Sequence, residues 1–506
     1  MCGIIGIVGP EQKGAGGASG ALPCAAAYEA YRGLLALQHR GQDAAGILAY
    51  DSTTRMFAMG KDLGLVANVF SGEKLEKLTG EIAIGHTRYA TAGTDDKRDV
   101  QPLVTGVPFG LSMVHNGNIL NYFSLAKKLT EEFSRQLLTA NDLEVMMHYW
   151  AHFLMEDGGI PTPQTFSFDN IKKATSRFFD TMIGGYAVLG LIAGQGLVAF
   201  RDPKGVRPLV LGSRETPAGT VWCLASETGA LTQLGYTGLR DVAPGEVVFI
   251  DMQGRMQSAI VRKDPEITPC MFEWVYFSGA ESVMDGHPVY SVRLKLGERL
   301  GIKAREAMDK GMISPDVVMP VPDTSRTAAI SIAASLKLPY REGLIKNRYV
   351  ARSFILNSQE KREEAVGQKL IPIPGEIEGK SIFLIDDSIV RGTTSKKIVE
   401  LLMQHGAKEV TLGITCPPLR YACYYGIDFP DPAALIATGR TVEEIARFIG
   451  AKQVIYLDEE DLRQAIGVSK LCMACITGKY PTATDEATAF SAQRQQVRAY
   501  GGKWKS

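Results

Sequence analysis

The stretch Ser381–Ser395 reads SIFLIDDSIVRGTTS, and it decides the fold of the second half of the chain. Four apolar residues, Ile382 to Ile385, run directly into the adjacent carboxylates Asp386 and Asp387. A polar loop and a segment with apolar residues at helical spacing follow. This order predicts a buried strand, a loop and a helix, which form half of a parallel α/β unit. Because ligands of such sheets bind outside the carboxyl ends of the strands, the loop is a candidate site.

The loop after the strand carries groups that suit a phosphate monoester. Gly392 allows the backbone to approach a ligand closely. Three hydroxyls stand beside the exposed N–H groups of a helix start, which attract phosphate. They belong to Thr393, Thr394 and Ser395. The two carboxylates before the loop suit sugar hydroxyls and a shared divalent cation. A ribose 5-phosphate with a magnesium-bound diphosphate meets both requirements, and the plainer alternative is an acidic strand end with a helix cap.

The run LIDDSIVRGTTS closely resembles the phosphoribosyl-diphosphate (PRPP) motif of type I phosphoribosyltransferases, and the Gly-x4-Gly-Lys pattern of a P-loop is absent. Magnesium would be shared by this motif and VPDTS, where Thr324 is a further candidate ligand. The resemblance implies PRPP binding by Asp386, Asp387, Arg391, Gly392, Thr393, Thr394 and Ser395.

A basic segment, GLIKNRYVARSFI, precedes this motif and carries Lys346, Arg348 and Arg352 among apolar residues. One interpretation is a solvated basic loop. The functional interpretation is a flexible cover whose cations meet the diphosphate leaving group and exclude water, which competes as a nucleophile. We therefore expect Lys346 and Arg348 to take part in PRPP binding.

Length and composition exclude several classes of function. The chain has 506 residues, enough for two or three domains. Its net charge is zero, which gives no electrostatic case for nucleic acid or for an anionic membrane surface. No apolar run has transmembrane length. The opening MCGIIGIVGP lacks a basic segment before its apolar residues, so we expect no secretory signal and a cytoplasmic location.

The first residues contain a candidate nucleophile. Removal of Met1 would leave Cys2 with a free α-amine, which titrates near ~7.7–8.0 and can take the thiol proton directly or through water. Taken alone, a small residue at a strand start is the more ordinary interpretation of Cys2. The following GIIGIVG alternates Gly with β-branched residues, as a strand does when another group must approach its backbone.

Polar residues further along the first half predict a glutamine site. Arg88 in GHTRYATAG suits the substrate carboxylate and Asp142 suits its ammonium. Asn116 and Gly117 in HNGNI, expected just after a strand, suit the oxyanion of a tetrahedral intermediate. Individually they could be a surface cation, a helix cap and a hairpin turn. As a set with Cys2 and QHRGQDAAG, they closely resemble the N-terminal-nucleophile glutamine amidotransferases, which implies those roles.

The cysteines of the second half predict a metal centre. Cys472 and Cys475 form a C-x2-C pair, and further ligands would come from Cys270, Cys416 and Cys423. Four thiolates suit zinc or an iron–sulfur cluster equally, and a bare pair of core thiols is the alternative.

Residues 2 to 480 resemble the amidophosphoribosyltransferase family, one branch of which carries a 4Fe–4S cluster. The resemblance implies an αββα sandwich glutaminase domain at 2–260, a type I phosphoribosyltransferase parallel-sheet domain at 261–480 and a tail at 481–506. It also implies a structural cluster on Cys270, Cys423, Cys472 and Cys475, with Cys416 spare. Where the family pattern reads FARPDS this chain has FSGAES (277–282), which puts contacts near the domain boundary in question.

The combined expectation is an enzyme that converts glutamine, PRPP and water to 5-phosphoribosylamine, glutamate and diphosphate. Ammonia released at Cys2 would pass to PRPP along a shielded path, with one magnesium ion per subunit. The resemblance further implies feedback inhibition by purine nucleotides and a homotetramer or homodimer. Two alternatives are another amidotransferase of the same nucleophile class, which would lack LIDDSIVRGTTS, and a PRPP- or purine-sensing regulator without catalysis.

Overall fold

The structure is a computed structural model that describes residues 1–9, 25–89, 96–156, 161–347, 370–427, 429 and 432–489. Arg348 and Arg352 of the predicted cover lie outside these ranges, as do Cys24 and the end of the predicted tail. Within the described ranges, no helix combines the length and the apolar character that a membrane span needs.

Residues up to Ile260 form short strands interrupted by helices. The strands are β1 (Gly3–Val8), β2 (Ala44–Asp51), β3 (Met56–Leu63), β4 (Ile82–Arg88), β5 (Leu103–Thr105), β6 (Leu111–Ile119), β7 (Gly184–Ile192), β8 (Gly196–Arg201), β9 (Val210–Thr216), β10 (Gly219–Ala225), β11 (Thr237–Asp241), β12 (Glu246–Asp251) and β13 (Met256–Ile260). The helices are α1 (Ala25–Ala36), α2 (Val66–Val69), α3 (Gly72–Glu76), α4 (Tyr122–Glu131), α5 (Asp142–Glu156), α6 (Phe168–Thr181) and α7 (Thr228–Gln233).

These strands form two antiparallel sheets that pack face to face. One has the order β11-β9-β10-β1-β4-β2-β3 and the other β13-β12-β8-β7-β6-β5. Aliphatic side chains of both sheets, such as Ile84 and Leu189, fill the space between them. A second core lies under α1 and α7, and a third lies under α4, α5 and α6. The predicted αββα sandwich is therefore confirmed.

Two strand ends differ from the sequence-based expectation. Asn116 and Gly117 were expected after a strand but lie inside β6, paired with Ala187 and Tyr186 of β7. The ordinary alternative of an Asn-Gly hairpin turn is thereby excluded. Arg88, which as a surface cation would lie outside the sheet, is the last residue of β4. Apolar periodicity ends where polar residues begin, but a ladder of backbone hydrogen bonds continues regardless of side-chain polarity.

The remaining residues contain a parallel sheet with helices and two hairpins. The strands of this half are β14 (Val283–Met284), β15 (His287–Pro288), β16 (Val317–Pro320), β17 (Leu344–Lys346), β18 (Leu370–Pro372), β19 (Ser381–Asp386), β20 (Glu409–Ile414) and β21 (Gln453–Tyr456). The pairs β14-β15 and β17-β18 are antiparallel, and the other four strands form the parallel sheet. Its helices are α8 (Val289–Asp309), α9 (Arg326–Leu336), α10 (Pro374–Ile377), α11 (Thr393–Gln404), α12 (Val442–Ile449), α13 (Glu459–Ile466) and α14 (Ala474–Thr477). A short π-helix, Glu273–Phe277, precedes them.

The parallel sheet has the order β16-β19-β20-β21, with β19 paired on both sides. All four apolar residues of β19 are buried, as a strand inside a parallel sheet requires. The chain leaves β19 at Asp386 and enters α11 at Thr393, so the loop between them lies at the carboxyl edge of the sheet. The predicted strand, loop and helix are confirmed, and the parallel-sheet domain with them.

Candidate active sites

Cys2 lies at the start of β1, in the middle of the seven-stranded sheet. Its backbone N–H donates to Asn116 Oδ1 over 3.1 Å, which joins β1 to β6 of the other sheet. Its thiol, partly exposed, lies 3.8 Å from the Tyr89 carbonyl oxygen. Its own carbonyl oxygen accepts a 3.0 Å hydrogen bond from Arg40 Nε. The nucleophile candidate is therefore held by its backbone while its thiol stays accessible.

Met1 occupies a buried position beside the candidate nucleophile. It is 1% exposed and belongs to the apolar core that fills most of the second half. Burial lowers the pKa of the Met1 α-amine to about 5. Removal of Met1 would free this space and leave the Cys2 amine next to its own thiol.

The oxyanion candidates adjoin Cys2. The Nδ2 atom of Asn116 is buried and has no hydrogen-bond partner among the described residues. A buried amide donor without a partner carries a desolvation penalty, which a ligand oxygen would relieve. Gly117 has φ of 134°, and a Cβ there would collide with the Gly185 carbonyl oxygen, so only glycine fits.

The candidates for binding the carboxylate and the ammonium group of glutamine are Arg88 and Asp142. Arg88 is 4% exposed at the end of β4, one residue past the partner of Gly3. Asp142 begins α5, and its Oδ2 accepts from the Ile119 N–H at 3.2 Å. Its Oδ1 lies 3.2 Å from His115 Nε2. Cys2 and Arg88 thus lie at the ends of β1 and β4, and the Cys2 N–H and Asp142 both contact residues of β6, which contains Asn116 and Gly117. The structure adds His115, which the sequence analysis did not single out.

A buried group of charged residues beside Cys2 was also missed. Arg40 is completely buried and its guanidinium contacts Glu227 and Glu273. Glu273 in turn lies 3.4 Å from the buried Arg207. We call Arg40, Glu227, Glu273 and Arg207 the buried ion network. The signal in the sequence was a single glutamate inside the aromatic run FEWVYF, since a lone charge in an apolar segment needs a partner.

The FSGAES stretch, which departs from the family pattern, closes over this network. Ser278 Oγ donates to Glu273 Oε2 at 3.0 Å. The Gly279 N–H and Ser282 Oγ both donate to Glu227 Oε2, at 2.8 and 3.0 Å. Two serine hydroxyls and a glycine N–H of FSGAES therefore donate hydrogen bonds to the carboxylates of Glu273 and Glu227. Burial alone would raise the pKa of Glu227, but the charges of His39 and Arg40, and their hydrogen bonds to this carboxylate, hold it well below its usual value.

The second candidate site lies at the carboxyl edge of the parallel sheet. Thr324 Oγ1 donates to Asp387 Oδ2 over 2.8 Å, and Ser325 Oγ donates to Asp386 Oδ1 over 3.3 Å. The loop VPDTS and the end of β19 therefore meet, as predicted. Gly392 has φ of 77° and N-caps α11, whose first turn contains Thr393, Thr394 and Ser395. Arg391 is exposed at the loop tip.

Among the described residues, neither carboxylate at this edge forms an ion pair with a Lys or Arg side chain. Burial, and next the neighbouring Asp387, raise the pKa of Asp386 well above its usual value. Burial also raises the pKa of Asp387, against hydrogen bonds from Thr324 and Ser388 and the Arg293 guanidinium. Two buried, adjacent carboxylates repel each other when both are ionised, and a bound divalent cation would stabilise the ionised pair. The donor set of two carboxylates and a hydroxyl fits magnesium.

Lys346 is the described part of the predicted cover. It ends β17, and its Nζ lies 3.2 Å from Asp323 Oδ2 in the VPDTS loop. Its side chain is 54% exposed, so it can turn toward a ligand in this loop. The position supports a role at this edge of the sheet.

The four cysteines predicted to bind a cluster are buried in one apolar core. Cys270 and Cys472 form a backbone bridge, and Cys423 and Cys475 lie close enough to affect the pKa of neighbouring thiols. Burial raises the pKa of Cys270 to about 11. Across the described ranges, no three His, Cys, Asp or Glu side chains are arranged to hold a metal ion. The donor chemistry fits an iron–sulfur cluster, whereas the present spacing of the thiols is not that of a metal site.

Family comparisons agree with this two-site arrangement. Residues 86–233 match a family model described as a glutamine amidotransferase domain. Residues 296–429 match one described as a phosphoribosyl transferase domain. Amidophosphoribosyltransferase of Pseudomonas aeruginosa is 41% identical, covering 100% of this chain and 98% of the relative. The chain belongs to the amidophosphoribosyltransferase family.

Members of the amidophosphoribosyltransferase family from distant organisms show the same likeness. The Escherichia coli protein is 42% identical over 92% of this chain and 88% of its own length. The solved structure of the Bacillus subtilis glutamine PRPP amidotransferase, complexed with ADP and GMP, covers 96% of this chain and 100% of its own with a TM-score of 0.81. This chain is therefore an enzyme that uses glutamine and PRPP in the first step of purine biosynthesis, and the non-catalytic regulator is disfavoured.

Proposed function

We propose that the enzyme forms 5-phosphoribosylamine at two sites acting in sequence. Cys2 releases ammonia from glutamine in the sandwich, and the ammonia displaces diphosphate from PRPP at the parallel sheet. The observation that carries the proposal is the 3.1 Å hydrogen bond from the Cys2 N–H to Asn116 Oδ1, which leaves the buried Asn116 Nδ2 without a hydrogen-bond partner among the described residues. The domains proposed for the two steps are 2–260 and 261–480, followed by the tail at 481–506.

In the glutaminase step, the Cys2 α-amine takes the thiol proton and the thiolate attacks the amide carbon of glutamine. Asn116 Nδ2 and the Gly117 N–H stabilise the tetrahedral oxyanion. Arg88 binds the glutamine carboxylate and Asp142 binds its ammonium group. The hydrogen bond from the Ile119 N–H to Asp142 Oδ2 orients that carboxylate. Collapse of the intermediate releases ammonia, and water then hydrolyses the thioester to glutamate.

In the second step, the hydroxyls and N–H groups of Thr393, Thr394 and Ser395, with Gly392 and Arg391, bind the 5-phosphate. Asp386 and Asp387 bind the ribose hydroxyls. Lys346 and Arg348 stabilise the diphosphate as it leaves. Neutral ammonia needs no general base, so positioning and charge stabilisation supply the rate acceleration. A path shielded from water would deliver ammonia in this neutral form.

Magnesium is the cofactor proposed for the second site. Thr324, Asp386 and Asp387 would hold it together with PRPP oxygens, one ion per subunit. The ion would supply charge neutralisation for the diphosphate. The raised pKa of both carboxyls supports this assignment, because an unpaired carboxylate pair favours a bound cation.

A structural 4Fe–4S cluster, one per subunit, is proposed for Cys270, Cys423, Cys472 and Cys475. Four buried thiols in one core support it. Anaerobically purified protein should then contain about four iron and four acid-labile sulfide per chain. Protein with stoichiometric zinc, or with no metal at all, would contradict the proposal.

We further propose purine nucleotides as inhibitors and a homotetramer or homodimer as the assembly. The Bacillus subtilis relative complexed with ADP and GMP supports the first proposal. A second relative, named as the allosteric regulatory enzyme of purine biosynthesis, has a TM-score of 0.81 to this chain. The cytoplasmic location stays a prediction.

The decisive experiment measures phosphoribosylamine formation from PRPP with either glutamine or ammonium salt as the nitrogen donor. Wild-type enzyme should use both donors. A variant lacking the Cys2 thiol should use only ammonium. If wild-type enzyme forms no product from either donor, the proposal is wrong, and a PRPP-binding measurement would then test the regulator.

A further inference from the structure

The glutaminase site is in direct contact with a segment of the phosphoribosyltransferase half. This segment, Tyr424–Gly426, lies within the range matched by the phosphoribosyl transferase model. Gly426 has φ of 102°, and a Cβ there would lie 3.3 Å from the Cα of Gly117. The Asn118 side-chain amide accepts from the Gly426 N–H at 3.2 Å and donates to the Gly117 carbonyl oxygen at 2.6 Å. The segment therefore packs against β6 at Gly117 and Asn118, next to the proposed oxyanion donors; we call this part of β6 the oxyanion strand.

Arg207 holds this segment in place. Its guanidinium is completely buried, and its Nε donates to the Tyr425 carbonyl oxygen over 2.7 Å. A second guanidinium nitrogen donates to the same oxygen. Its Nη1 lies 3.4 Å from Glu273 Oε1. One side chain thus joins the glutaminase half to two separate parts of the second half.

The other end of the buried ion network reaches the nucleophile. Glu273 contacts Arg40 through both oxygens, at 3.0 and 3.1 Å. Arg40 Nε donates to the Cys2 carbonyl oxygen at 3.0 Å. Glu273 is therefore shared by Arg207, which holds Tyr424–Gly426, and by Arg40, which holds Cys2.

The four side chains of the network depend on one another, and the exposed His39 also contacts Glu227, with its Nε2 2.9 Å from Oε1. Two arginines face two glutamates, and all four side chains are at most 2% exposed. Loss of one member leaves a buried charge without a partner, which strongly disfavours the present arrangement. Because the remaining side chains must then shift, both groups that they position would move with them.

We propose that Arg207 is a positioning residue for glutamine hydrolysis. It fixes the oxyanion strand through Tyr424–Gly426 and the Cys2 backbone through Glu273 and Arg40. The inference rests on the proposed function of Cys2 and goes beyond it, because it assigns part of the glutaminase geometry to contacts made by the phosphoribosyltransferase half. Arg207 itself touches no reacting atom.

The test compares Arg207→Gln and Glu273→Gln with the control Asp285→Asn in the full-length enzyme. The control breaks another ion pair that joins the two halves, since Asp285 accepts from the buried Arg201 at 2.7 and 2.9 Å. Asp285 forms no described contact with Cys2 or with Tyr424–Gly426. Rates with glutamine and with ammonium salt are measured for each variant, together with the rate at which a glutamine-analogue label alkylates Cys2.

We expect both network variants to lose at least about 10-fold in glutamine-dependent kcat, because small displacements of catalytic groups have effects of this size. Their ammonium-dependent rates should stay within about twofold of wild type, since positioning at the PRPP site is unchanged. Labelling of Cys2 should slow in parallel. The Asp285→Asn variant should keep the wild-type ratio of the two activities even if its Tm falls.

The inference is overturned if both network variants keep the wild-type activity ratio, or if Asp285→Asn lowers that ratio equally. If Arg207→Gln does not fold, the isosteric Glu273→Gln decides alone. A Glu273→Asp variant should recover part of the lost ratio, which a general loosening of the interface would not explain. Failure of the proposed function looks different, because wild-type enzyme itself would then form no product from glutamine.

Discussion

Asn116 accepts a 3.1 Å hydrogen bond from the Cys2 N–H through its Oδ1, while its Nδ2 stays buried with no partner in the described part of the chain. The same amide thus locates the nucleophile and presents an unused donor next to it. A donor that is already oriented and desolvated stabilises a developing oxyanion without reorganisation. This relationship makes Asn116 the sharpest single test of the glutaminase site.

Substitution of Asn116 by Ala should lower glutamine-dependent kcat by about 10²–10³, the range seen when one oxyanion donor is removed. The ammonium-dependent rate should be nearly unchanged. Asn121→Ala is the matched control, because this buried amide bonds only the backbone of Thr181 and Ile183 among the described contacts. It should reduce stability without changing the ratio of the two activities. Equal effects of both variants on that ratio would argue against the oxyanion role.

Replacement of Cys2 by Ala should abolish glutamine-dependent synthesis, with a loss on the order of 10³-fold or more, because the covalent route disappears. Ammonium-dependent synthesis should persist. Cys223→Ala removes another thiol, which is completely buried in the sandwich core, and should leave both activities intact. Loss of both activities in the Cys2 variant would place Cys2 in the fold and not in the chemistry.

Enzyme that retains Met1 should lose glutamine-dependent activity, because it lacks the α-amine that accepts the proton of the Cys2 thiol. The Met1 α-amine is buried and the Cys2 nitrogen is then an amide, which cannot act as a base. Intact-mass measurement should show active enzyme lacking Met1. Enzyme made while methionine removal is inhibited should keep only the ammonium-dependent rate, and restored glutamine use after aminopeptidase treatment is the control. Equal glutamine activity of both forms would contradict this role for the amine.

Asp386→Asn should raise the Tm of magnesium- and PRPP-free enzyme at pH 7. The pKa of Asp386 in the folded state lies above its usual value, so the folded protein binds more protons between the two values. Stability therefore falls as pH rises through that interval, and the variant lacks this decline. Binding of magnesium-PRPP should weaken about 10-fold or more, because a charge-assisted contact is lost.

The control for this prediction is Asp458→Asn, a carboxylate with the opposite behaviour. The Asp461 N–H, and next Lys303, lower the pKa of Asp458. Its ionised form therefore stabilises the fold above its usual pKa, and that contribution is lost as pH falls through the lowered value. Asp458→Asn should lower the Tm slightly at pH 7 and leave PRPP binding unchanged. A lower Tm for Asp386→Asn would show that this carboxylate is already compensated.

Cys475→Ser should remove iron from the purified enzyme, whereas Cys416→Ser should keep it. Both thiols are buried in the same core, and burial raises the pKa of both well above the usual value. They therefore differ only in the proposed ligand role. Iron and sulfide content, together with visible absorption, measure the outcome. Equal iron content in both variants would remove Cys475 from the ligand set.

The elements that the sequence predicted well share a local cause. The strand, loop and helix around Asp386 follow from four apolar residues, a glycine with positive φ and hydroxyls at a helix start, all within Ser381–Ser395. The sandwich of the first half was instead implied by the family resemblance. Boundaries were less accurate, because β6 continues through Asn116 and Gly117 on the strength of its pairing with β7.

The sequence by itself determined which chemical groups are present. These are the Cys2 thiol with the α-amine that Met1 removal would free, the oxyanion donors Asn116 and Gly117, and a phosphate-binding loop after Asp386 and Asp387. Each depends on neighbours within a few residues, so spacing is enough to predict it. Only the tertiary structure decided that Arg40, Glu227, Glu273 and Arg207 form one buried network, and that Gly426 packs behind Gly117. A buried charge finds its partner by proximity in space, across up to 233 residues of chain here, and no local pattern records that pairing.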